Sequence, residues 1–277
     1  MNNTLRTVIF LSALGCSSLS VFAGVIVKSE SGEPGAQQKQ KTTLYLEAGK
    51  LRMETEAEHG KTIMIFAGNT QDLWMLQPEQ GTYMEMTADS IARMSSAGGG
   101  NPQMEQAMKQ MQDRMASMTP EQRAMMEQAM KGGMGAMGGG GAPPTITFQA
   151  KGGIEKFGTF TCSKYDELSN GKRTAELCAA SFDQLHFTEA DLKIFQALGK
   201  FMEPLRRMNP RAMAVPPTEQ IHGFPVHTVR YDGEKTTSES TVLAVEQKPL
   251  DAGLFTVPAG LTKREFPGMG GRGGPPR

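Results

Sequence analysis

The sequence predicts an α+β protein that is mostly β, built from an antiparallel sheet with an inserted helical hairpin. Three observations carry this. Short alternating apolar segments recur between turn residues from Val25 to Met86, and again from Thr145 to Glu246. A glycine-bounded, methionine-rich stretch with two helix-start signals separates the two blocks. One amphipathic helical pattern, residues 188–208, sits inside the second block.

The chain opens with a short polar start bearing Arg6, an apolar run from Val8 to Val21, and small residues at Val21 and Ala23 flanking Phe22. This is the three-part layout of a secretory signal, with cleavage expected after Ala23 and a periplasmic or secreted destination. Ala13-Leu14-Gly15-Cys16 offers lipidation at Cys16 as the alternative, although Leu14 is bulky for such a motif. The apolar run is too short, and too rich in Ser and Gly, for a stable membrane span. Across the chain 29 Lys+Arg balance 29 Asp+Glu, so no electrostatic footprint for nucleic acid or an anionic membrane exists.

Residues 24–97 read as the N-terminal part of the sheet. Val25 and Val27 begin a strand that ends at Gly32-Glu33-Pro34-Gly35. In Thr42 to Glu47, Leu44 and Leu46 share a face opposite Tyr45, and Leu51 and Met53 share one in Lys50 to Thr55. Thr62 to Ala67 is a nearly continuous apolar strand, followed by Asp72 to Leu76 and Tyr83 to Met86. Gly68-Asn69 and Pro78-Glu79-Gln80-Gly81 are the turns between them.

Residues 98–143 form the insertion. Glycine runs at 98–100 and 138–141 read as flexible stems. Asn101-Pro102 and Thr119-Pro120-Glu121-Gln122 each supply a cap and a first-turn proline. Of the 21 methionines, 10 lie between Met104 and Met137. Met104, Met108, Met111, Met115 and Met118 follow one helical stripe, and Met126 and Met130 repeat it. Three uses fit: a hairpin core, a deformable surface gripping apolar partners, or thioether capture of Cu(I).

Residues 144–267 resume the sheet. Phe157 to Glu167 and Lys172 to Ala180 flank Asn170-Gly171, a hairpin signal. Cys162 and Cys178 lie symmetrically about Asn170, so a three-residue loop would place them opposite each other as a disulfide. Thr188-Glu189-Ala190-Asp191 caps a helix whose Leu192, Phe195, Leu198, Met202 and Leu205 share a face. Two more strands follow at Phe224 to Tyr231 and Ser238 to Glu246, and the Gly/Pro/Arg tail 268–277 is predicted disordered.

Catalytic motifs are missing from the sequence. His59, His186, His222 and His227 are scattered, and read as solvated surface residues without metal-pair spacing. No nucleophile elbow, zinc-protease helix or phosphate loop occurs. The expectation is therefore a protein that is not an enzyme, with no cofactor and no metal site.

The segments Leu44-Tyr45-Leu46, Lys50-Leu51-Arg52-Met53-Glu54, Ile63 to Phe66, Leu73-Trp74-Met75-Leu76 and Thr82 to Met86 resemble the N-terminal half of a bacterial family of exported proteins described only as a domain of unknown function. Cys162-Ser163-Lys164-Tyr165, Phe224-Pro225-Val226 and Leu254 to Gly260 are similar to its C-terminal half, so the likeness covers most of Gly24 to Pro267. The pattern also resembles the periplasmic lipoprotein carriers LolA and LolB. That resemblance implies a curved antiparallel half-barrel wrapping helices, and it brings no catalytic residues. Cys178 stands where the family pattern has an aromatic, which favours the disulfide.

The function expected is non-enzymatic binding or carriage of an apolar or lipidated ligand, lined by Leu44, Leu46, Ile63, Ile65, Trp74 and Leu76. The alternative is a protein-interaction or chaperone-like module that grips an exported protein partner through the methionine arm, with Cu(I) capture behind it. An open concave cavity would favour a carrier, and a helix filling it would not.

Overall fold

The computed structural model describes residues 24–47, 49–58, 60–92, 144–208 and 218–265. The expected signal, Cys16, the methionine arm (Met104, Met108, Met111, Met115, Met118, Met126, Met130) and the tail 268–277 lie outside them. Among the described residues, twelve strands form one large open, curved sheet. They are β1 (Gly24–Gly32), β2 (Gln40–Glu47), β3 (Lys50–Ala57), β4 (Gly60–Ala67), β5 (Asp72–Gln77) and β6 (Thr82–Met86) in the first block. The second block supplies β7 (Ile146–Phe157), β8 (Phe160–Ser169), β9 (Lys172–Ala180), β10 (Phe224–Asp232), β11 (Lys235–Lys248) and β12 (Thr262–Arg264). The strand order is β12-β6-β5-β4-β3-β2-β1-β11-β10-β9-β8-β7.

Two meanders meet at the centre, where β1 pairs antiparallel with both β2 and β11. Every ladder is antiparallel except β12 with β6, which is parallel. Residues 93–143 connect β6, second from one end of this order, to β7 at the other end.

Register decides which side chains share a face. Val25 faces Leu46, Leu46 faces Leu51, Leu51 faces Phe66 and Phe66 faces Leu73. These residues line the inner face, which carries helix α1 (Glu189–Met208). Ile63, Ile65, Trp74 and Leu76 pair among themselves on the outer face. The apolar run of β4 is thus explained. Met64 and Phe66 are buried inward, Ile63 and Ile65 outward, as a strand covered on both sides requires.

The start of α1 is fixed by a reciprocal cap. Thr188 N donates to Asp191 Oδ2 at 2.8 Å, and Asp191 N donates back to Thr188 Oγ1 at 3.3 Å. Ile194, Phe195, Leu198, Phe201 and Met202 then fall at helical spacing and are buried against the sheet. Leu192 and Leu205, at the margins of the predicted stripe, are half-buried. Aromatic contacts anchor the helix: Phe201 meets Phe66 at 5.4 Å between centroids, and Phe195 and Phe187 both meet Phe224.

Candidate functional site

The paired cysteines lie on the inner face. Cys162 and Cys178 form a disulfide with Cα atoms 5.3 Å apart, and both are buried. Their pairing differs from the three-residue loop read from the sequence. Ser169 pairs with Lys172 across a two-residue turn, Asn170-Gly171, with φ of 50° and 79°. A bulge between Glu167 and Leu168 then shifts the register, so Cys162 faces Ala180 and Cys178 faces Lys164. The bond is diagonal across the ladder, on one face.

The six predicted lining residues do not form one surface. Leu44 and Leu46 point inward beneath α1, whereas Ile63, Ile65, Trp74 and Leu76 point outward. Apolar residues of neighbouring strands need not share a phase, because the register of each ladder sets which face they present. Both surfaces are covered by the chain itself. The helix fills the inner face, and a C-terminal strap, residues 249–265, covers the outer one.

The strap lays Leu250, Leu254, Phe255 and Leu261 against Tyr45, Ile65, Trp74 and Tyr83. Asp251 caps the short helical turn Ala252–Phe255 by accepting from Gly253 N. A Cβ on Gly24 would stand 2.5 Å from Leu250 Cδ1 and 2.9 Å from the Leu46 carbonyl oxygen, so glycine lets the root of the strap lie close against the start of β1. Arg52, 7% exposed, donates from Nη1 to the Leu254 carbonyl at 2.7 Å and pairs with Glu54 at 2.6 Å. Burial alone would raise the Glu54 carboxyl. Hydrogen bonds from Lys61 and Arg52 outweigh it and hold the pKa below the ordinary value. Trp74 Nε1 donates to Glu85 Oε1 at 3.0 Å, and Lys263 of β12 pairs with the same carboxylate and lowers its pKa.

A small open hollow of about 110 Å³ is lined by Glu155, Phe157, Lys164, Glu176, Cys178 and His227. Lys164 bridges Glu155 at 2.6 Å and Glu176 at 3.6 Å, and Lys151 bonds Glu176 at 2.9 Å. The Lys151 hydrogen bond holds the Glu176 carboxyl below its usual range. These charges compensate one another, and the space is well under the roughly 300 Å³ of a small-molecule pocket.

His227 is not the solvated residue that the sequence suggested. Its ring stacks on Phe157 at 3.8 Å, and Nε2 lies 2.8 Å from Glu239 Oε1. No sequence signal marked this contact, because Phe157 and His227 are brought together only by the pairing of β7 through β10. His186 and His222 occupy left-handed turn positions with φ of 57° and 47°. Among the described residues, no three His, Cys, Asp or Glu groups are placed to hold a metal ion. Nor is any described helix long and apolar enough to cross a membrane.

No curated protein matches the chain. Among solved structures it is similar to an uncharacterized conserved protein from Thermus thermophilus, at 8% identity and a TM-score of 0.44, covering 89% of this chain and 92% of that one. The family described as "Domain of unknown function (DUF4412)" matches residues 22–101 and 92–261, spanning both meanders, α1 and most of the strap, so the chain belongs to that family.

Proposed function

We propose that the protein is a non-enzymatic, exported binding or carrier-like protein for an apolar or lipidated ligand, with α1 occupying the ligand's place when none is bound. The observation that carries this reading is the composition of the inner face. Strands from β1 through β11 contribute apolar side chains to it, and among the described residues α1 packs on it together with Ile91, Leu185 and Phe187. A helix docked through one apolar stripe can be exchanged for acyl chains of similar buried area, because the hydrophobic term depends on area and not on partner identity. The helix on the inner face counts against a ready-made carrier cavity, so this reading requires that binding displace or shift α1. The export clause rests on the residues ahead of Gly24 and on the oxidised pair Cys162–Cys178.

The test is native mass spectrometry of protein recovered from the periplasm, paired with titration of a fluorescent fatty acid. Wild type should carry or take up one apolar adduct. Phe201→Ala removes the ring that packs on Phe66, so it should bind the probe more tightly while losing about 3–5 kcal/mol of stability. If neither the folded wild type nor the folded variant carries or takes up apolar mass, the reading fails. Trp74 is no reporter for this site, because it faces the strap.

A further inference from the structure

The outer groove is filled by a segment that owes little to the rest of the fold. Residues 249–265 leave the end of β11, beside β1 near the middle of the strand order, and finish against β6 near one end. Their anchors belong to an outer cluster that shares no residue with the inner core. Lifting the strap would therefore leave β1 to β11 and α1 with their own packing, as a local opening and not global unfolding. The backbone hold is short. β12 is three residues, all exposed, and Thr262 N donates to Gly81 O at 2.8 Å. Pro249 at the root fixes its own φ and keeps Lys248 extended, which makes a stiff exit from β11.

We propose that this strap is an exchangeable clasp, and that the outer groove accepts residues 249–265 of a second copy of the chain. The complementarity needed between two copies is the one each copy already shows within itself. Leu250, Leu254, Phe255 and Leu261 fit the groove, Arg52 meets the Leu254 carbonyl, and Lys263 meets Glu85. Two copies that trade straps fill both grooves and close as a two-fold pair, with no unsatisfied end to propagate. Within one chain the strap has the advantage of high effective concentration, so the exchanged form gains only as protein concentration rises. The proposal is independent of any ligand on the inner face.

Three readouts on the full-length protein decide it. Wild type at high concentration should give a dimer by light scattering and native mass spectrometry, and excess peptide of residues 249–265 should dissolve that dimer into peptide-bound monomer. Phe255→Ala, which loosens the chain's own strap, should take up the wild-type peptide at least tenfold more tightly than wild type does, with a change in Trp74 emission. The same peptide carrying Phe255→Ala should not bind. A folded Phe255→Ala chain that excludes the peptide as well as wild type does, a dimer that the peptide leaves intact, or no dimer at any attainable concentration would each overturn the exchange. Should Phe255→Ala not fold, Leu250→Ala replaces a partly buried anchor and is judged on the same readouts.

Discussion

Cys162 and Cys178 illustrate how much a single bulge changes at the residue scale. Their equal distance from Asn170 suggested direct opposition, yet a two-residue turn and a bulge place them on a diagonal while keeping both on the inner face. The pairing was legible because it needs only the hairpin and an oxidising destination. Its register was not, because a bulge has no reliable signal in residue type. The bond closes a short loop, so replacing both cysteines by alanine should cost about 3 kcal/mol in the chain-entropy picture. Denaturant unfolding of the double variant measures this, and an unchanged midpoint would show that the bond adds nothing beyond the hairpin. Arg52 and His227 were unreadable for a related reason. The acceptor of Arg52, the Leu254 carbonyl, lies 202 residues away in sequence, and the ring under His227 comes from another strand of the sheet. Local pattern contains neither partner.

At the scale of elements, periodic pattern led to α1 and to the strands of the two meanders, and the strap, which has no period, was missed. α1 announced itself through Thr188, Asp191 and the stripe from Leu192 to Leu205, and the β-strands through alternation between turns. The strap has no repeating period, and its anchors at 250, 254, 255 and 261 follow none. The sign of a cover was instead in β4, whose two-sided apolar run needs a second layer over Ile63 and Ile65. The strap's end should respond to acid. Glu85 has a lowered folded pKa, so the stabilisation from Lys263 and Trp74 is present above the ordinary carboxylate value and lost as pH falls through the lower folded one. Tyr83 and Glu265 also act on Lys263, and the pair is partly exposed, so the effect should be a fraction of a kcal/mol. Emission of Trp74, the only tryptophan, should shift on acidification in wild type and much less in Lys263→Met. Equal shifts in both proteins would mean that the Lys263 contact does not hold the strap's end.

For the whole molecule, the sequence showed two blocks of strands around an insertion but not how they join. The joint is β1 with β11, running from Gly24 opposite Lys248 to Gly32 opposite Glu239, and nothing in either strand's composition names the other. Long-range ladders of this kind depend on which free edges remain after each meander has folded, a property of the assembled blocks and not of any window of residues. The joint has three further parts. α1 from the second block packs on the first through Phe201 and Phe66 of β4, the strap crosses the outer face of the first block, and β12 pairs with β6. The two blocks should therefore stay together without the covalent link between β6 and β7. A protease site placed within residues 93–143 and cleaved after folding should leave fragments that co-elute as one complex, with the Cys162–Cys178 bond wholly inside the second. Cleavage turns an intramolecular joint into a bimolecular one, so the melting temperature should fall and become dependent on concentration. Placing a charge at Val27, which is buried in the centre of β1, should separate the cleaved fragments far more readily than it unfolds the uncleaved chain. Fragments that part at once on cleavage, at concentrations where the intact protein is folded, would show that the connection through 93–143 holds the two blocks together and that the β1–β11 ladder does not.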